Sequence, residues 1–267
     1  MGTNYIAPTW RQPENTNINK ASNYSRRFAN LTYNQYINCG NGSEFSFGDG
    51  TTDTSFSFSL LVKFTGSGTT WKTTQALFSK TESYNVNAEY DFYFTGGSLY
   101  FTLSNFNRSP SNNKYATWNY TWTDVAPDVW YNIIITYDAS ISTVTQRVKF
   151  IIDGDNKTIS GSNVGYVAMT NRSQNFLIGR LSGGGPSSYD LNGYLSDFAV
   201  FDYVVNSADI WNNGTPINLM ALSNPPFCYL PIGSKDTIGN GTYDYNVPNI
   251  SVGADSVFDF NSSNNTR

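Results

Sequence analysis

Apolar and polar positions alternate over short runs along most of this chain, with turn residues between them. Residues 56–64 (FSFSLLVKF) place Phe against Ser at every second position before becoming fully apolar, as a strand with one buried face does. Residues 76–80 form a further short run. Residues 90–94 and 98–103 flank Thr95, Gly96 and Gly97, a hairpin signal. The Ile-rich run 130–137 (WYNIIITY) predicts a strand buried on both faces. Residues 147–152 and 157–159 flank Asp153-Gly154-Asp155-Asn156, the strongest turn signal in the chain. Residues 176–179 and 193–203 complete the series. Only residues 207–212 (SADIWN) carry a helical pattern, with Ser207 as N-cap and Gly214 just beyond the end. Many short strands and almost no helix predict an all-β sandwich or jelly roll. An Asn- and Pro-rich arm (1–25) precedes the domain (26–216), and an extension with docking or inter-subunit character (217–267) follows it.

Composition supports this. Of 267 residues 39% are hydrophobic and 16% aromatic, enough for an aromatic-rich core, and only 13% are charged. The net charge of −4 gives no basic footprint for nucleic acid, and no apolar run is long enough to span a membrane. The first twenty residues lack the basic and apolar regions of a secretory signal. Histidine is absent, which removes Ser-His-Asp and Cys-His nucleophile systems. Cys39 and Cys228 show no zinc spacing. They pair if the chain's ends meet in space; two buried free thiols is the plainer expectation.

Four pieces then fall in a telling order. Trp130-Tyr131 through Asp138, Phe150-Ile151-Ile152-Asp153-Gly154, Gly193 through Ala208, and Arg27-Phe28 through Tyr36-Ile37 resemble the strands, hairpin and closing helix of the laminin-G-like, concanavalin A-like jelly roll. Asn132 stands where many members of that family carry His. The resemblance spans roughly residues 25–212 and implies a sandwich of two antiparallel sheets. It also implies that an acid in the closing strand, here Asp197, sits near the sandwich edge, where several members hold a structural calcium. Against this, no D-x-D-x-D cluster supports a cation, and fixing the strand's entry is the preferred reading of Asp197; no cofactor is required. Asp202 is expected to cap the turn before the helix.

The enzymes that resemble this module, laminarinase-type glucanases, carry E-x-D-x-x-E on one strand. Here Glu89-Tyr90-Asp91 places two acids on one face, but Phe94 stands where the third belongs, and Glu82 does not supply it. A non-enzymatic protein is expected. Trp118, Tyr120 and Trp122 alternate, so a strand shows all three on one face. Exposed, they form a glycan platform; buried, they are core or subunit interface, which is the preferred reading. The loop 181–188 (LSGGGPSS) lacks a following G-K-[ST] and reads as flexible rather than phosphate-binding.

Phe201-Asp202-Tyr203 through Pro216, then residues 222–225 and 229–233, resemble modules in structural proteins of bacteriophages and aquatic viruses. That resemblance implies a virion structural protein, a capsid decoration or fibre component assembled in the host cytoplasm. Its implied partners are copies of itself, other virion proteins and host or environmental glycans. A carbohydrate-binding cell-surface adhesin is the alternative and a glycoside hydrolase the third reading. On the virion reading, Tyr5, Ile6 and Trp10 in the arm and Phe227, Tyr229, Phe258 and Phe260 in the tail are anchors that dock on neighbouring subunits.

Overall fold

The computed structural model describes residues 26–28, 36–68, 70–83, 86–105, 114–181, 189–211, 219–230 and 251–252. Fifteen strands build two sheets: β1 (Arg26–Phe28), β2 (Ile37–Asn38), β3 (Phe56–Phe64), β4 (Gln75–Ser83), β5 (Val86–Thr95), β6 (Ser98–Ser104), β7 (Tyr115–Thr121), β8 (Trp130–Tyr137), β9 (Val148–Ile152), β10 (Asp155–Asn156), β11 (Ser160–Val164), β12 (Leu177–Ile178), β13 (Gly193–Phe201), β14 (Cys228–Leu230) and β15 (Ser251–Val252). The seven-stranded sheet runs β1-β13-β3-β8-β9-β10, with β14 also paired to β13. The eight-stranded sheet runs β11-β7-β6-β5-β4-β12-β2-β15. All ladder pairs are antiparallel, as a jelly-roll sandwich requires.

Alternation sends Phe56, Phe58, Leu60, Val62 and Phe64 of β3 inward, to meet Tyr90, Phe92 and Phe94 of β5 and their neighbours in one core. Ring contacts tie the sheets together: Phe58 lies 4.3 Å from Phe78 and Phe64 lies 4.7 Å from Phe94, centroid to centroid. Cys39 and Cys228 are both buried in this core as free thiols, and burial pushes their pKa values well up.

The β9–β10 turn is tighter than the four-residue turn signal suggests. Asp153 and Gly154 both have positive φ (55° and 84°), the two-residue geometry that follows the right-handed twist of a hairpin. Asp155 and Asn156 therefore already belong to the returning strand. Asn206, not Ser207, caps the helix α1 (Ser207–Ile210): its side chain accepts from the Ala208 amide at 3.2 Å. Strand β11 carries no apolar pattern, because all five of its residues are exposed.

A second apolar cluster lies on the outer face of the seven-stranded sheet. It joins Ile134, Ile151, Ala199 and Phe201 to Val205, Ile210, Leu219 and Tyr229. This explains why β8 is buried along its whole length. Among the described residues, no helix is long and apolar enough to cross a membrane.

Candidate functional site

The outer face of the eight-stranded sheet carries a polar surface. The Gly96-Gly97 turn pairs Thr95 with Ser98, and that register fixes the rest of the hairpin. With Phe92, Phe94, Leu99, Phe101 and Leu103 turned inward, the alternate side chains face out. One cross-strand row reads Thr117, Thr102, Asp91, Ser79; the next reads Asn119, Tyr100, Tyr93, Ala76. Tyr93 and Tyr100, both half-buried, stack with centroids 5.2 Å apart and planes 10° from parallel. The Thr102 and Thr117 hydroxyls are 3.3 Å apart.

Asp91 is the chemical focus of the first row. It is 8% exposed, Thr102 hydrogen-bonds its carboxyl, and its Oδ1 has no partner. Burial raises its pKa to about 7, only partly opposed by Thr102. Beside it, Ser79 donates to the Arg180 carbonyl at 2.8 Å. Arg180 Nε pairs with Asp190 Oδ1 at 3.2 Å, and its guanidinium lies 4.6 Å over the Tyr36 ring. Burial raises Asp190 to about 6 against the opposing charge of Arg180, and its Oδ2 also lacks a partner.

Glu89 does not join Asp91. The ladder passes from Lys80↔Tyr90 to Thr81↔Ala88, so Glu89 is the extra residue of a bulge, which re-aims its side chain. Its carboxylate pairs with the Lys80 ammonium, both fully buried, and accepts from the Ser46 hydroxyl at 2.6 Å and the Arg172 amide at 2.7 Å. Lys80 also donates to Ser46 Oγ (3.0 Å) and the Arg172 carbonyl (3.2 Å). The pairing expected of two acids on one face is thus corrected: the sequence spacing is right, but the bulge separates them. Every oxygen of Glu89 is already committed to holding loops in place.

Trp118, Tyr120 and Trp122 do share a face, and it is the inner one. Trp118 is fully buried and donates its indole hydrogen to the Thr145 carbonyl at 2.9 Å. Trp122, 2% exposed, meets Tyr131 edge-on at 4.5 Å, and the half-buried Tyr120 packs against the same core. Trp118 and Trp122 are therefore closed to a sugar ring, and the stripe is core, the reading preferred from the sequence over a glycan platform.

Asp197 occupies a bulge in β13, between the pairs Ser196↔Leu61 and Ala199↔Ser59, with φ of +49°. That left-handed conformation suits a short polar side chain. Its Oδ1 accepts from the Tyr229 hydroxyl and its Oδ2 from the Ser196 hydroxyl, both at 2.8 Å. No group of three or more His, Cys, Asp or Glu side chains able to hold a metal occurs among the described residues. Both Asp197 oxygens thus take part in fixing the strand at its bulge. Asp202 is exposed, and the side-chain cap of the following helix is Asn206.

Two of the tail anchors, Tyr229 and Phe227, dock on this chain's own sandwich. Tyr229 of β14 lies opposite Ala199 of β13 and is 2% exposed; Phe227 packs 5.8 Å from Phe45 and 6.4 Å from Phe47. Strand β15 adds to β2, so strand addition takes place within this chain. The apolar character expected of an inter-subunit anchor is the same character that docks a segment on its own sandwich. Tyr5, Ile6, Trp10, Phe258 and Phe260 lie outside the described residues, as do residues 182–188.

Residues 32–211 match the profile of the concanavalin A-like lectin/glucanases superfamily. The chain belongs to that superfamily. Among solved structures, a candidate carbohydrate-binding protein from Bacteroides ovatus superposes with a TM-score of 0.55 at 14% identity, covering 86% of this chain and 59% of that one. The binding domain of botulinum neurotoxin serotype G gives 0.47 at 12% identity, over 71% of this chain and 46% of that one. The chain therefore spans under two thirds of either. At 14% identity the likeness to the Bacteroides ovatus structure establishes the fold and no more. No curated protein matches the sequence. None of these superfamily likenesses is to a virion component, and the virion role inferred from the sequence gains no support from them.

The signal for the outward row was in the chain. The two glycines of a two-residue turn let one count back from Thr95↔Ser98 to Tyr93↔Tyr100 and Asp91↔Thr102.

Proposed function

We propose that this chain is a non-catalytic carbohydrate-binding module that engages glycans through the outer face of its eight-stranded sheet, in the manner of a surface adhesin. The observation that carries the reading is the pair of adjacent rows on that face. A stacked tyrosine pair offers an apolar ledge for a sugar ring, and Asp91, Thr102, Thr117 and Asn119 offer carboxyl, hydroxyl and amide partners beside it. Membership of a lectin-containing superfamily and the carbohydrate-binding description of the Bacteroides ovatus structure support it.

The non-catalytic part rests on Glu89. Retaining glycosidases need two carboxyl groups about 5 Å apart across the scissile bond. Here the nearest acid to Asp91 along the strand is locked to Lys80, Ser46 and Arg172. The test is a glycan array and calorimetric titration of the wild type against the double variant Tyr93→Ala, Tyr100→Ala. Binding that disappears in a folded double variant, with no reducing-sugar release by either protein, is the expected result. Undiminished binding in that variant would move the site elsewhere.

A further inference from the structure

We infer that this face selects neutral and amino-bearing glycans and rejects acidic ones, with Asp91 as the discriminating residue. The inference rests on the carbohydrate-binding reading above and names the class of ligand for that site.

The charge layout of the face supports it. Asp91 lies at the floor of the polar row, 8% exposed, between Ser79 on β4 and Thr102 on β6, with Thr117 beyond and Tyr93 at the next outward position of its own strand. One of its oxygens is without a partner, so part of its accepting capacity is unused. Two cations near the row are already paired with acids. Arg180 pairs with Asp190 and stacks on Tyr36, and Lys80 is buried against Glu89. Asp190 adds a second carboxyl oxygen without a partner. A uronate or sialate laid on the tyrosine ledge would bring its carboxylate over a buried acid, with Arg180 and Lys80 already committed to acids of their own. Above pH about 7, where the Asp91 carboxyl is ionised, like charges brought together away from water are strongly disfavoured, whereas a hydroxyl or ammonium donor meets an acceptor. Because the carboxyl is sunk into the floor, it acts through its field as well as by contact, and a low-dielectric surrounding strengthens that field.

The test is an array of neutral hexose oligomers, glucosamine oligomers, galacturonate oligomers and sialylated oligosaccharides, read at about pH 8, above the Asp91 pKa of about 7, for the wild type and for Asp91→Asn. The wild type is expected to hold acidic ligands about tenfold or more weakly than neutral ones of the same length. Asp91→Asn, which keeps the shape and one oxygen acceptor and puts an amide donor in place of the other oxygen, is expected to bring acidic ligands toward the neutral level. A wild type that binds acidic glycans as well as neutral ones overturns the inference while leaving the carbohydrate reading intact. So does a folded Asp91→Asn with an unchanged ratio. Failure to bind any glycan removes both. Should Asp91→Asn not fold, the wild type in rising salt decides: screening must raise acidic binding relative to neutral, and a flat ratio counts against the proposal.

Discussion

Tyr229 donates its phenolic hydrogen to Asp197 Oδ1 at 2.8 Å, and both side chains are buried. The bond sits at the bulge where β13 exchanges one partner for another: residues 193–195 pair with β1, and residues 198–200 pair with β14. Removing the hydroxyl with Tyr229→Phe leaves a buried carboxylate oxygen short of a donor, and is expected to lower stability by about 1–3 kcal/mol. Asp197→Ala should cost a similar amount, and the double variant less than the sum of the two, as urea denaturation would show. Because both Asp197 oxygens are taken by hydroxyls, calcium and chelator should shift the melting temperature equally little in wild type and Asp197→Asn. A calcium-dependent rise confined to the wild type would restore the metal assignment.

Acidity should stabilise this protein over a defined range. Folding raises Asp91 from its ordinary 3.8 to about 7, and Asp190 to about 6, in both cases through burial first. The folded state therefore holds protons that the unfolded state has released, and stability falls as pH rises from roughly 4 to 7. Asp91→Asn should flatten the upper part of that slope and raise stability at neutral pH. Chemical denaturation at several pH values reads both effects. A wild-type stability that climbs across the same range would show that the carboxyl is solvated.

The Lys80–Glu89 pair should punish single substitutions and tolerate double ones. Burial lowers the pKa of Lys80 and raises that of Glu89, each opposed by the partner's charge. Lys80→Met alone strands a buried carboxylate, at a cost of about 3–5 kcal/mol. Lys80→Met with Glu89→Leu removes both charges and is expected to recover much of that loss in the same denaturation assay. If the single substitution proves neutral, water reaches the pair.

Trp118→Ala should cost stability before it touches any ligand. The side chain is fully buried and its loss opens a cavity, worth about 3–5 kcal/mol. Trp118→Phe gives up the bond to the Thr145 carbonyl but keeps most of the volume, and should remain folded. Calorimetry of both variants, followed by glycan titration of Trp118→Phe, separates core from contact: titration should match the wild type.

Period and turn chemistry made the sandwich legible. The alternation of Phe and Ser in 56–64, the Ile run of β8 and the Asp153-Gly154 turn each point to the element found there. What alternation cannot say is which side of a strand is inside. The stripe at Trp118, Tyr120 and Trp122 has a face by spacing alone, and only the partner sheet makes it the inner one. Bulges are equally silent. One extra residue at Glu89 and one at Asp197 re-aim two carboxylates that a strict period of two would have placed elsewhere. Strand β11 (SGSNV) has no apolar residue until Val164 and was invisible for that reason. Phe227 and Tyr229 were legible as anchors; nothing in their sequence distinguishes a neighbour's surface from their own.

The shared strand β13 also gives the fold a nearly circular plan. Arg26 opens β1 opposite Leu195, and Leu230 closes β14 opposite Phe198, so the two segments lie end to end along one flank of the same strand. Three positions of extended chain separate their attachment points, roughly 10 Å. In a chain that gives up β15, a linker of a few residues from 230 to 26 would therefore fuse β14 and β1 into a single strand, with the Gly96-Gly97 turn as the new pair of ends. In such a permutant β13 keeps both halves of its outer partner, while the order in which the chain visits the two sheets is rewritten.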